Sequence, residues 1–148
     1  MIRVYLDTGP LGFAVHPRPV EGFLEWLAFL RDNGATIVIP EIADYELRRE
    51  LLRLNRSQSI DRLERLVAVT EYVPITTSIM LTAASLWAQV RQGGRSTADR
   101  HALDGDVILA ASVLAAGDAE RVVVATTNPG HINRFVEAAL WNDISPVS

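Results

Sequence analysis

Apolar residues along the chain alternate between short, nearly continuous runs and longer stretches of helical period, the pattern of strands alternating with helices. The first run, positions 1–7, is of strand type. Gly9-Pro10-Leu11-Gly12 and Pro17-Arg18-Pro19 predict a loop after it. Phe23, Leu24, Leu27, Phe29 and Leu30 then predict a helix that stops at Asn33-Gly34. A buried strand is expected over 35–39, ended by Pro40, and two helices over 41–54 and 58–69, with Ser57 as the N-cap of the second. A short strand follows over 71–75, then a helix over 78–92 that stops at Gly93-Gly94, and an exposed polar loop over 95–100.

From Asp104 onward, the run 107–116 is apolar around its whole circumference and ends at Gly117, which predicts a central helix with a glycine C-cap. Positions 121–125 form the clearest strand, and 126–130 its exit turn. A short helix is expected over 132–140 and a terminal strand near Asp143-Ile144. Short apolar strands alternating with longer helices predict an α/β sandwich around a mainly parallel sheet.

Length and composition narrow what this fold can do. The 148 residues suit one domain. There is no cysteine, which removes disulfides, thiolate zinc sites and cysteine nucleophiles and suits a cytoplasmic protein. All positive side chains are arginine, so a phosphate-loop lysine, a Schiff base and a lysine general base are absent. The net charge of −4 lacks the basic excess usual in nucleic-acid binders, so contact with phosphate must be local or mediated by a cation. No signal-type apolar segment opens the chain, and no apolar run reaches the roughly 18–20 residues that span a bilayer.

Ligands of open parallel sheets gather beyond the carboxyl ends of the strands. Asp7 follows the first strand there, and Thr126-Thr127-Asn128 follow the clearest one. Asp104 and Asp106 stand at the expected start of the apolar helix, where its dipole favours a carboxylate. Asp7 alone reads equally as a turn residue, and Asp104 as an N-cap. In the helix after Pro40, Ala43, Leu47, Leu51 and Leu54 form an apolar stripe with Glu46 at its edge and Glu50 partly inside it. Periodicity prefers neither glutamate, and pairing with Arg49 or Arg53 is the structural alternative for both. Asp7, Glu46, Asp104, Asp106 and Asn128 nevertheless fall where one pocket would collect them. Clustered carboxylates repel one another and persist mainly around a divalent cation, and oxygen donors without sulfur select Mg²⁺ or Mn²⁺.

These residues carry a resemblance. Val4-Tyr5-Leu6-Asp7-Thr8, the run 40–47 containing Glu46, Asp104-Gly105-Asp106 with its apolar continuation, and Thr126-Thr127-Asn128 occur in the order of the PIN-domain proteins, and more narrowly of the VapC-type toxins of toxin–antitoxin pairs. The resemblance spans nearly the whole chain. It implies a three-layer α/β/α sandwich on a sheet of four to five strands. It further implies a metal-dependent endoribonuclease in which a carboxylate-held Mg²⁺ or Mn²⁺ activates water against an RNA phosphodiester. Asp7, Glu46 and Asp106 match the family's metal-binding acids, Asn128 takes its fourth polar position, and Asp104 is an additional acid nearby that would assist in holding the metal. Asn128 departs from the aspartate that many relatives carry there and supplies no charge. A small antitoxin partner, a homodimer and a cytoplasmic location are likewise implied.

The alternatives are a PIN-type RNA-processing nuclease without an antitoxin and an inactive PIN-type binding module. A haloacid-dehalogenase-type phosphotransferase, which also starts with a strand and an aspartate, is disfavoured by Gly9 at its second aspartate position and by the absence of lysine. Arg48, Arg49, Arg53, Arg56, Arg62 and Arg65 form either a salt-bridged solvated face or an RNA track. His16, His101 and His131 lack metal spacing and read as surface residues, with His131 near enough to the Thr-Asn turn to reach the pocket. Thr8 suits either a turn or a hydrogen bond to the site. Phe23, Trp26, Phe29, Trp87 and Trp141 suit packing rather than base stacking.

Overall fold

The computed structural model describes residues 1–93, 100–117 and 120–146, and the side chains of all of these except 100–102. The expected loop over 95–100 and the side chain of His101 therefore lie outside the described residues, apart from the backbone of Arg100.

Five strands, β1 (Arg3–Leu6), β2 (Thr36–Pro40), β3 (Glu71–Val73), β4 (Val122–Ala125) and β5 (Ala138–Ala139), form one sheet in the order β3-β2-β1-β4-β5. Every pairing is parallel. The central strand β1 aligns Val4 with Ile37 on one side and with Val123 on the other. This register sends Val4, Leu6, Ile37, Ile39, Val123 and Ala125 to one face, and Tyr5, Val38 and Val124 to the other. Both faces are covered, which is why the strands read as continuous apolar runs and not as alternating ones.

The first face is covered by α1 (Thr8–Val15), α2 (Phe23–Asp32), α3 (Glu41–Arg53) and α4 (Ser57–Val69), through Leu11, Phe23, Trp26, Leu30, Ala43 and Leu63. The second is covered by α6 (Arg100–Leu114) and α7 (Pro129–Ile132), with α5 (Thr77–Gln92) packed outside α6. Three layers result, and α6 is central to the second helical layer, with Leu109 and Val113 against the sheet and Leu103, Val107 and Ala111 against α5. Phe23, Trp26 and Trp141 pack edge-on or tilted at 5.3–5.6 Å, as core residues. Phe29 instead is 54% exposed.

Several local expectations are corrected. The segment containing Gly9, Pro10 and Gly12 is a helix, α1. Asp7 caps it by accepting the Thr8 N–H at 2.8 Å, and Pro10 falls in the first turn, where its missing N–H costs nothing. Ser57 is the first helical residue of α4 rather than its cap; Arg56 holds the cap position without a side-chain bond. Leu54 caps α3 in an exposed position, so the buried stripe ends at Leu51. The expected helix over 132–140 is replaced by α7 and β5. The Asn133 side chain accepts the Ala138 N–H at 2.8 Å, and Val124 and Thr126 bond onto Glu137 and Ala139, so the chain runs extended beside β4. Near 143–144 there is a short 3₁₀ turn (Trp141–Asp143) in place of a strand. Gly34, at φ +85°, takes the left-handed conformation that lets Ala35 bond back to Leu30 and release α2 into β2.

α6 begins at Arg100, about two turns before its apolar run, so neither Asp104 nor Asp106 lies in its first turn and its N-terminal dipole does not favour them. No described helix is long and apolar enough to cross a membrane.

Candidate functional site

The carboxyl ends of β1 and β4 lie side by side, and Asp7 continues β1 by donating its N–H to Ala125 O at 3.0 Å. Both of its carboxylate oxygens are engaged: Oδ1 accepts from Thr8 N, and Oδ2 accepts from the Thr126 hydroxyl at 2.8 Å. Thr126, 2% exposed, in turn accepts the Asn128 N–H at 3.2 Å. Asp7 is thus a cap and a site residue at once, and its orientation is set by the start of α1 and the end of β4.

Glu46 enters from α3, with Oε1 accepting the Thr8 hydroxyl at 2.8 Å. Gly105 of α6 is its floor, since a Cβ there would come within 2.7 Å of Glu46 Oε2. Glycine is what lets α3 and α6 approach at the site. Burial, and then the charge of Asp7, push the Glu46 carboxyl above its usual range, against the lowering effects of the Thr8 bond and Arg49.

Asp106 sits one residue beyond Gly105. Its Oδ2 is buried and has no hydrogen-bond partner. His131 Nδ1 and Arg134 Nη2 face that oxygen at 3.8 and 3.9 Å, beyond hydrogen-bond length. Burial foremost, then Asp7, push the Asp106 carboxyl up to about 6; His131 and Arg134 pull it down, and Glu46 pushes it further up. Asp7, Glu46 and Asp106 therefore share one field.

Asp104 does not join them. Two residues on a helix are separated by about 200°, so Asp104 and Asp106 point to opposite sides of α6. Asp104 is exposed and lines the groove between α5 and α6 beside Met80, Ala83 and Trp87. Asn128 stands at the exposed rim, its side-chain amide 3.4 Å from His131 Nδ1. Among the described residues, no group of three or more acidic or histidine side chains has the spacing of a metal site.

The acidic cluster also involves three residues that reading the sequence for acids does not single out. Thr126 fixes Asp7, Gly105 makes room for Glu46, and Arg134 faces Asp106. Arg134 is reached only because the chain turns back after α7, a turn masked in the sequence by an apparent helical period. Of the arginines on α3 and α4, Arg48 binds Asp44 and Glu64 and Arg53 binds Glu50, Arg49 lies over the Tyr45 ring, and Arg62 and Arg65 donate to the carbonyl oxygens of Val15 and Asp61.

A five-strand parallel sheet in this order, helices on both faces and acids gathered at the carboxyl ends of its middle strands define a PIN-type α/β fold. Solved structures share it over nearly the full chain. VapBC2 from Rickettsia felis, bound to a DNA fragment from its promoter, matches with a TM-score of 0.74 at 19% identity, covering 95% of this chain and 99% of that one. DNA-bound VapBC from Salmonella typhimurium gives 0.72 at 19%, with the same coverage of 95% and 99%. FitAcB from Neisseria gonorrhoeae gives 0.68 at 22%, also over 95% and 99%. At these identities the likeness is one of fold. No protein-family model matches the chain, and no curated protein matches it significantly.

Proposed function

We propose that this chain is a Mg²⁺- or Mn²⁺-dependent endoribonuclease, the toxin of a VapBC-type pair, cytoplasmic and held in check by a small antitoxin. The observation that carries the reading is the buried, partnerless Oδ2 of Asp106 in a pocket shared with two other carboxylates. Hard oxygen donors whose charges crowd one another, so that Asp7 pushes up the Glu46 and Asp106 carboxyls, fit a divalent cation in charge and chemistry, and Asp7, Glu46 and Asp106 would hold it. Asp104, on the far side of α6, is left out of that set. When bound, such an ion neutralises the acids and supplies Lewis-acid activation of water and of the scissile phosphate.

The chain's own residues do the positioning. Thr126 and the Thr8 N–H fix Asp7, the Thr8 hydroxyl fixes Glu46, and Asn128 holds its amide at the rim with His131. The pairing with an antitoxin is supported by the fold shared with VapBC complexes. The homodimer is supported by the family resemblance and by the exposed Met80 and Leu81 on α5.

The test is RNA cleavage by purified protein freed of any partner. Cleavage that needs Mg²⁺ or Mn²⁺ and disappears in Asp7→Asn supports the reading; RNA left intact with either metal overturns it. A second reading, an inactive PIN-type binding module, draws on the neutral Asn128 and on acids not drawn up at ligating spacing. Calorimetric titration with Mn²⁺ separates the two, since a module of that kind gives no binding heat. An adjacent reading frame for a small partner separates a toxin from a partnerless processing nuclease.

A further inference from the structure

Arg134 is placed as a counter-charge that does not close. Three arginines close on their carboxylates, Arg48 on Asp44 at 3.0 Å, Arg3 on Glu71 at 2.7 Å and Arg121 on Glu137 at 2.6 Å, while the solvent-exposed neighbours Arg31 and Asp32 stay 4.0 Å apart. Arg134 stops 3.9 Å from Asp106 Oδ2, although that oxygen has no other hydrogen-bond partner to compete for it. It is held from behind. Its Nε donates to His131 O at 3.0 Å, and its guanidinium lies 4.9 Å from the centre of the Phe135 ring. With Nε spent on that carbonyl, Nη2 is left facing the acidic cluster, 3.9 Å from Asp106 Oδ2.

A guanidinium fork matches two oxygens of a phosphate better than one buried carboxylate oxygen. The need for such a group is plain from the charge: a chain of net −4, whose described ion-paired arginines on α3 are committed to its own acids, must still bring a polyanion to three carboxylates. We propose that Arg134 binds a non-bridging oxygen of the RNA phosphodiester at the mouth of the Asp7–Glu46–Asp106 pocket and so positions the phosphate for hydrolysis. The proposal rests on the nuclease reading above.

The experiment measures binding of a fluorescein-labelled single-stranded RNA by anisotropy, with Ca²⁺ in place of Mg²⁺, at several salt concentrations, alongside steady-state cleavage in Mg²⁺. Arg134→Met is expected to weaken binding about tenfold, the scale of one charge-assisted hydrogen bond. It should flatten the dependence of log affinity on log salt by about 0.7, the share of one phosphate contact on a single strand. KM should rise more than kcat falls. Arg134→Lys keeps the charge but loses the fork; it should retain the salt slope, bind only a few-fold more weakly, and serve where Arg134→Met does not fold. If the wild type cleaves RNA while the Met variant keeps the wild-type affinity, salt slope and KM, the arginine is a counter-charge only and the proposal fails alone. If the wild type neither binds nor cleaves RNA, the nuclease reading fails and takes the proposal with it.

Discussion

Asp44 and Glu46 sit two residues apart on α3, and the protein treats them in opposite ways. Asp44, 8% exposed, accepts from Arg48 at 3.1 and 3.0 Å and from the Tyr72 hydroxyl at 2.8 Å, while Arg48 passes on to Glu64 at 3.1 Å. Burial and the Asp44 bond push the Tyr72 phenol up, so that it stays a donor. This cluster joins α3 to α4 and β3, and its buried charges are partnered. On the pocket side of the same helix, Glu46 has one hydroxyl partner and faces Asp7 and Asp106. Buried charge that is fully partnered holds a fold together, whereas buried charge left short of partners stores repulsion that a ligand can relieve. The difference separates the structural acid from the candidate functional one more sharply than burial does.

The comparison is open to direct attack. The largest expected effect is on activity: Asp7→Asn should lower RNA cleavage by about 10³-fold, roughly 4 kcal/mol of lost transition-state stabilisation. Melting should barely move, because Asn caps helices as well as Asp does. A melting loss as great as the loss of activity would return Asp7 to the structural class. Next, Asp44→Ala should cost about 3 kcal/mol by stranding Arg48 and Tyr72, a drop of roughly 10 °C in Tm, with cleavage per folded molecule unchanged.

Asp106→Asn should do the reverse and stabilise the metal-free protein at pH 7.5 by about 1–2 kcal/mol. Its folded pKa of about 6 lies above the ordinary 3.8, so the folded state binds the extra proton between those values. Stability therefore falls as pH rises through that window. The advantage of the Asn variant should be full above about pH 7 and vanish near pH 4, which melting in EDTA across pH would show. An Asn variant less stable than wild type at neutral pH would mean that Asp106 is better partnered than it looks. Smallest of all, Gly105→Ala should shift Tm by about a degree or two while lowering kcat/KM a few-fold, since the flexible end of Glu46 gives way before the backbone does.

Much of this architecture is legible in the chain, because apolar runs of four or five residues bounded by turns suit strands buried on both faces, whereas longer stretches of helical period suit helices. β1, β2, β4 and α3 emerge that way within a residue or two. α1 does not, since Gly9, Pro10 and Gly12 imitate a loop; only the cap at Asp7 and the burial of Leu11 and Val15 show that the segment is helical. β5 is two alanines whose pairing with β4 is decided by neighbours, not by their own propensity. In the candidate site, Asp7, Glu46 and Asp106 come from motif order, but the division of Asp104 from Asp106 needed the true start of α6. Arg134 needed a turn that helical periodicity disguises. Acids at strand ends announce themselves, whereas the residues that orient or face them depend on tertiary placement.

The parallel register of the sheet has a consequence for how the molecule comes to exist. β1 lies at its centre, yet one of its two partners, β4, arrives only at Val122–Ala125. Pairings of such long sequence separation are slow to close and are unavailable to a chain still being synthesised. Thr126, which locks Asp7, comes later still, and Ile144 accepts the Trp26 indole N–H at 2.9 Å from beyond the whole sheet. A nascent chain that has emerged only as far as α6 already carries all three acids but has not yet joined them to β4. The acidic cluster is thus fixed only once β4 and Thr126 have been made, so a product that stops short of them lacks the hydroxyl that locks Asp7.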